Sequence, residues 1–285
     1  MSTQRGARRA AVLLSVPAAL CLADPARSEQ PLDEIVVTAS RMHAPLTVIT
    51  DPKAPRQPLP AHDGADYLKT IPGFSVIRKG GTDGDPVFRG MAASRVNVLI
   101  DGEQLLGGCG MRMDPPTAYV FPEAYDRIVV VKGPQTVLYG PGNSAATVRF
   151  DRDVPDFDEP GHRFAGNATA AQSGRSDLAA DLTLGSASWY GRLTATGAES
   201  ADYTDGAGNE VHSAYERWSA NGAVGWKPTR GSWIELSGAR SDGEAAYADR
   251  AMDGVKFDRD NLALRFAVDD LGPRVRRIEG LAFYH

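Results

Sequence analysis

The hydrophobic pattern of the chain changes character near residue 160. Before that point, short apolar runs stand between turn signals. Asp66-Tyr67-Leu68 with Ile71 predicts one amphipathic helical turn, ended by Pro72-Gly73. Phe74 to Ile77 alternates as a strand, and Val87 to Arg89, Val96 to Ile100, Ile128 to Lys132 and Thr147 to Phe150 predict four more. Val137-Leu138-Tyr139 reads as a short helix-like turn before Gly140. From Arg163 the texture shifts to segments of about ten residues that alternate apolar or small with polar. Strands are expected near 163–172, 177–186, 189–199, 215–227, 232–240, 258–268 and 274–285. Ser173-Gly174-Arg175, Lys227 to Gly231 and Asp270 to Pro273 are short connections, whereas 201–213 and 241–257 are longer. Short turns on one side, longer loops on the other and period-two strands between them are the pattern of a membrane β-barrel. Trp189, Tyr190, Trp218, Trp226 and Trp233 lie near the strand ends, where an interfacial belt would sit. A small α+β domain followed by the first strands of an antiparallel transmembrane β-barrel is the expected fold class.

Composition narrows this reading. The 285 residues carry a net charge of −5, with acids and bases interspersed. No long basic face exists, so a nucleic-acid partner is not expected. Thirty glycines favour turns and strands over a helical bundle. Past the N-terminus there is no apolar run of about 18 residues, so no spanning helix is expected. Residues 1–26 read as a signal peptide. Arg5, Arg8 and Arg9 precede the apolar stretch Ala10 to Leu22, and Ala23 or Ala26 suits cleavage. Neither the residues flanking Arg8-Arg9 nor Leu20 before Cys21 supports a twin-arginine or lipoprotein signal.

Export changes the cysteine arithmetic. Removal of Cys21 with the signal leaves Cys109 alone in an oxidising compartment, where it needs a partner, a reactive role or a metal. A buried inert cysteine is the plainer alternative. Cys109 stands in L-L-G-G-C-G-M-R-M-D-P-P-T-A-Y, residues 105–119, which is rich in glycine and proline and poorly suited to burial. Met111 and Met113 follow closely, and thiolate with thioether donors selects soft metals, Cu(I) above all. An exported enzyme with Cys109 as nucleophile would need an oriented base, and no sequence pattern places one beside the thiol.

Upstream, Asp33-Glu34-Ile35-Val36-Val37-Thr38-Ala39 is short and β-prone. It stands before a linker, 40–60, that carries Pro52, Pro55, Pro58 and Pro60. A tethered β-prone peptide can add to the edge of a partner's sheet, although it reads equally as a first strand. D-E-I-V-V-T-A resembles the TonB box of outer-membrane TonB-dependent receptors. D-G-A-D-Y-L-K-T-I-P-G-F-S-V at 63–76, G-D-P-V-F-R-G-M at 84–91, V-N-V-L-I-D-G at 96–102 and R-I-V-V-V-K-G-P-Q-T-V-L-Y-G-P-G-N-S-A-A-T-V-R-F at 127–150 resemble that family's plug, in its order and spacing. The resemblance implies a plug domain over 61–155 and a partial barrel over 163–285. It also implies a location in outer-membrane lipid, a TonB-type energy-transducing partner engaged by residues 33–39, and no enzymatic chemistry.

Most receptors of this family take up ferric siderophores, haem or cobalamin. The loop at 107–119 instead resembles the copper-receptor branch, in which a plug cysteine and a methionine four residues later hold the metal. Carried over by position, these are Cys109 and Met113, with the copper ion as bound substrate. Met111 is outside that pattern and reads as a solvated or packed side chain ahead of a spare donor, and Met91 reads as packing. The resemblance also implies a His-x-Met pair from a barrel loop. No histidine here has Met two residues on, and nothing in the sequence places Met252 at the metal. A siderophore or haem receptor shares every feature except the sulfur loop. A plugged barrel of this kind closes with about 22 strands. Seven expected strands fall short of that, so the chain reads as an N-terminal portion of a longer receptor.

Overall fold

The computed structural model describes residues 46–78, 80–134, 136–141 and 144–284. The signal segment 1–26 and the TonB-box segment 33–39 lie outside the described residues.

The first layer is a five-stranded sheet. Its strands are β1 (Thr47–Thr50), β4 (Val96–Ile100), β5 (Glu103–Gln104), β6 (Arg127–Lys132) and β7 (Ala146–Asp151), in the order β1-β6-β7-β4-β5. Only β4 and β7 run parallel; the other pairs are antiparallel. Val98, Ile100, Ile128, Val130, Val148 and Phe150 leave this sheet for a core shared with Leu68, Ile71 and Phe88. The helix α1 (Gly64–Leu68) begins at Asp63, whose side chain accepts the Asp66 N–H at 2.8 Å and satisfies one orphan donor of the first turn. Asp63 also accepts the Gly84 N–H at 2.9 Å and the Arg78 guanidinium at 2.5 Å. One fully buried carboxylate thereby ties α1 to the hairpin of β2 (Phe74–Arg78) and β3 (Gly84–Phe88). At the β4–β5 hairpin, Asp101 and Gly102 have φ of +51° and +92°, the left-handed pair that a two-residue Asp-Gly turn demands.

The second layer is a seven-stranded antiparallel wall. It comprises β8 (Gly161–Ala170), β9 (Ser176–Gly185), β10 (Trp189–Ser200), β13 (Tyr215–Trp226), β14 (Trp233–Ala245), β15 (Arg259–Asp269) and β16 (Arg277–Tyr284). A small hairpin of β11 (Tyr203–Thr204) and β12 (Glu210–Val211) projects between β10 and β13. The wall strands between the two edges, β9, β10, β13, β14 and β15, alternate as barrel strands must. Asp181, Thr183, Thr194, Thr196, Arg217 and Glu235 are buried on the inner face. Leu193, Val224, Leu236 and Leu264 are exposed on the outer face, with Val224, Leu236 and Leu264 directly opposite one another across β13, β14 and β15. Polar inside and apolar outside is the arrangement that lipid on one side and a polar lumen on the other require.

Three expectations for the wall are corrected. Trp189, Trp218 and Trp226 face outward, with Trp189 opposite Trp226, whereas Tyr190 and Trp233 face inward. Tyr190 is fully buried and donates to Glu235 at 2.6 Å. Strand ends were legible in the sequence, but the parity that decides the face was not. The short turn at 171–175 shares its end of the wall with the long loops, opposite the turns at 186–188, 227–232 and 270–276. Strand β14 runs to Ala245, so the loop after it is shorter than the expected 241–257.

In the plug, part of the expected linker is structured. Thr47–Thr50 pairs with Ile128–Val131 at the sheet edge, and the Thr50 hydroxyl lies 2.6 Å from that of Tyr67. From the sequence, Arg89 and Lys132 beside apolar strands read equally as solvated strand ends or as buried partners of acids on a surrounding wall. Arg89 is exposed over the Phe88 ring, and Lys132 is half-buried at the end of β6. The contact instead runs from wall arginines to plug acids: Arg192 to Asp126 at 2.8 Å, Arg265 to Asp101 at 3.3 Å and Arg259 to Glu103 at 3.4 Å.

Candidate functional site

The loop from Leu105 to Tyr119 leaves β5 at the end of the wall that carries the long loops. Its conformation is set by one carboxylate. Asp114 accepts the N–H groups of Gly108 (2.5 Å) and Cys109 (2.8 Å) and the hydroxyl of Tyr119 (2.8 Å). Burial and the adjacent Asp114 raise the Tyr119 hydroxyl well above the usual phenol range, which keeps it a donor. The loop closes so tightly at Gly107 that a Cβ there would sit 2.1 Å from the Asp114 carbonyl oxygen. Glycine at 107 is therefore a requirement of the chain path.

Between Cys109 and Met113 the backbone reverses. The Arg112 N–H donates to the Cys109 carbonyl at 2.9 Å, and Arg112 has a φ of +58°. A spacing of four residues, one turn in a helix, here spans a non-helical turn and puts Cys109 and Met113 on its two arms. Arg112 is held out of the way by a two-pronged pair with Asp85, at 2.5 and 3.1 Å. Met111, at the apex, is 73% exposed. Cys109 is half-buried with a free thiol. Met113 is half-buried and packs against the cluster of Ala198, Tyr215, Ala245 and Tyr247 in the wall and its loop.

The loop after β14 covers this arrangement. Tyr247 lies 2.5 Å from Asp83 Oδ2 and 2.9 Å from the Met113 carbonyl oxygen. Phe257 meets the Tyr119 ring edge-on, with centroids 6.4 Å apart. The Arg250 guanidinium is held in its charged form chiefly by its hydrogen bond to Asp249. The structure thus brings together Cys109, Met113 and a wall loop that also carries the exposed Met252. Sequence reasoning singled out the two sulfurs but not Asp114, Tyr119 and Tyr247, which shape the turn that carries them. The Asp-Pro-Pro that follows Met113 marked a turn, but nothing in the sequence indicated that this aspartate folds back onto the cysteine. Among the described residues, no three His, Cys, Asp or Glu side chains are placed to hold a metal ion. Two sulfurs on one turn can supply half of a soft-metal site.

A small mixed sheet with a capped helix, packed against an antiparallel wall that is polar inside and apolar outside, defines a plug seated on barrel strands. Residues 38–147 match the TonB-dependent Receptor Plug Domain family. Among solved structures, the chain is similar to the copper transporter OprC, with 50% identity, a TM-score of 0.83 and 87% of this chain covered. The ferric enterobactin receptor PfeA from Pseudomonas aeruginosa shares the fold at 16% identity and a TM-score of 0.63, over 84% of this chain. A hemin receptor from Yersinia pestis is 32% identical over 137 residues, 45% of this chain and 20% of that protein. The chain spans 38% of the OprC chain and 40% of the PfeA chain.

Proposed function

We propose that this chain is the plug and part of the wall of an outer-membrane, TonB-dependent receptor that binds and imports copper. The observation that carries the reading is the Cys109–Met113 turn, held at the long-loop end of a plug whose chain is half identical to a copper transporter. Cys109 supplies a thiolate and Met113 a thioether. Ionisation of the thiol accompanies binding, so affinity falls as the solution is acidified. Residues 33–39 add as a strand to the energy-transducing partner in the periplasm, and tension on them rearranges the plug. The signal at 1–26 delivers the protein to the periplasm for insertion. A siderophore or haem receptor is the second reading, favoured by the hemin-receptor similarity over 45% of the chain.

Cu(I) titration of the detergent-purified protein against a chromophoric competitor separates these readings. Cys109→Ala and Met113→Leu are expected each to weaken binding, and the double variant to abolish it. Undiminished copper binding in the double variant, together with specific haem or ferric-chelate binding, would establish the second reading instead. Deletion of residues 33–39 is expected to abolish uptake while leaving binding intact.

A further inference from the structure

Asp114 is next to a proposed ligand, yet its own oxygens are already committed. Oδ1 takes the Cys109 N–H; Oδ2 takes the Gly108 N–H and the Tyr119 hydroxyl. A carboxylate that accepts three hydrogen bonds from its own loop is poorly available to a metal, and a soft ion prefers sulfur to it in any case. Its geometry does something else. Both N–H groups belong to the two residues that set where the Cys109 Cα–Cβ bond points, and Tyr119 fixes the carboxylate from the other side. Gly107 lets the Asp114 backbone approach the loop to a distance no side chain would permit. The other arm is held independently, because the Met113 carbonyl accepts from Tyr247.

We propose that Asp114 is the positioning residue of the sulfur turn: with Tyr119 as its brace, it fixes Cys109 at the spacing from Met113 that a soft metal ion needs. This rests on the copper reading above. Conventional outer partners of metal ligands hold a ligating side chain. Here the carboxylate holds the ligand's own backbone, which a Gly-rich loop would otherwise leave free. Asparagine cannot replace it. One of the two oxygens becomes an NH2 group, which opposes the Gly108 or Cys109 N–H donor to donor.

Two readouts on the purified protein test this. The first is the rate at which Cys109 reacts with a small maleimide in copper-free protein. The second is the Cu(I) dissociation constant. Asp114→Asn is expected to raise the alkylation rate and to weaken Cu(I) binding by about 10–100-fold, the range for loss of a partner that orients a metal ligand. Tyr119→Phe is expected to move both in the same direction by less. In a Cys109→Ala background, Asp114→Asn is expected to cause no further loss, because the residue acts through Cys109; a general structural role would add its own loss. Unchanged alkylation and unchanged affinity in Asp114→Asn would overturn the proposal, as would additive losses in the double variant. Should the parent protein bind no Cu(I) while alkylation still responds to Asp114→Asn, the copper reading falls and the positioning role stands. If Asp114→Asn does not fold, Tyr119→Phe decides by the same two measurements.

Discussion

Tyr247, in the loop after β14, has a single hydroxyl proton and two acceptors within reach: Asp83 Oδ2 at 2.5 Å and the Met113 carbonyl at 2.9 Å. One proton serves both only as a weaker three-centre bond. The arrangement is satisfied when Asp83 carries a proton of its own, donates it to the Tyr247 oxygen and leaves Tyr247 to donate to Met113. Asp83 is 1% exposed, and burial pushes its carboxyl up to about 6. Tyr247 is itself raised by burial and by the neighbouring Asp83. The seat of the Met113 arm is therefore complete only while Asp83 is neutral.

This sets a pH dependence with a definite sign. The folded form holds the Asp83 proton more tightly than the unfolded chain, where an aspartate titrates near 4. Stability from this group is full below about pH 4 and is lost as pH rises to about 6; the cost above that is about 3 kcal/mol at 1.4 kcal/mol per unit. Asp83→Asn mimics the protonated state: its amide donates to Tyr247 and its carbonyl accepts from Thr82, which now lies 3.1 Å from Asp83 Oδ1. Thermal unfolding of the parent and of Asp83→Asn, compared from pH 4.5 to 7.5, is expected to show the variant gaining on the parent as pH rises. A constant difference across that range would refute the assignment.

Gly107→Ala tests the tight path of the loop. The new Cβ would meet a backbone oxygen at 2.1 Å, so the chain itself must move. Overpacking of this kind costs about 1–3 kcal/mol. The strain is expected to appear as a lower unfolding temperature and a faster reaction of Cys109 with maleimide. Gly110→Ala serves as the control, because nothing lies within 4 Å of a Cβ built there. It is expected to leave both measurements near the parent values.

How far the sequence foretold these contacts depends on their range. Strand periodicity placed all seven wall strands to within a few residues, except the far end of β14, because alternation is a local property of each segment. The Asp101-Gly102 turn was equally legible, since its left-handed backbone demands that pair. The two sulfurs stood out as residue types. Asp114, Tyr119 and Tyr247 did not, because each acts through a fold-back or a contact across more than a hundred residues, and an aspartate before two prolines reads simply as a turn. Tyr190 and Trp233 were placed on the wrong face for a related reason. Aromatic residues near strand ends suit either face, and only the register, with Tyr190 opposite Gly225 and Trp233 opposite Ala267, decides.

His212 couples two outer loops. Its Nε2 lies 2.9 Å from Asp253 in the loop after β14, and its Nδ1 lies 3.8 Å from Asp202. The bond to Asp253 holds the imidazolium above its ordinary range of about 6.5. The link is complete below that range and lost as pH rises through the raised value. Asp253 also accepts the Tyr247 N–H at 3.2 Å, so loosening is expected to reach the loop over the sulfur turn. An NMR titration of His212 is expected to show the raised value in the parent and a fall toward 6.5 in Asp253→Asn. Proteolysis of the loop is expected to quicken on going from pH 6 to pH 9. A His212 that titrates identically in both proteins would rule the link out.

Arg217 is the joint between plug and wall. It projects from the inner face of β13, donates to the Ala118 carbonyl at 2.6 Å and to the His62 carbonyl, and lies over the Phe121 ring at 3.8 Å from its centroid. These partners come from three separate plug segments: the turn before α1, the end of the sulfur loop and the stretch leading to β6. A planar guanidinium can reach both carbonyls at once, whereas an ammonium on a flexible stem reaches one. Arg217→Lys is therefore expected to behave as a partial loss and Arg217→Ala as a full one, leaving the buried Ala118 carbonyl without this donor at about 1–3 kcal/mol and the part-buried His62 carbonyl at less. Hydrogen exchange reads this locally. The Val120 amide, bonded to Thr117 at 3.3 Å, and the amides of α1 are expected to exchange faster in Arg217→Ala, while those of β15 and β16 remain as in the parent. Acceleration spread evenly over the wall strands would mean that Arg217 supports the sheet and not the joint, and the plug would then be held mainly by the Arg192–Asp126 and Arg265–Asp101 pairs.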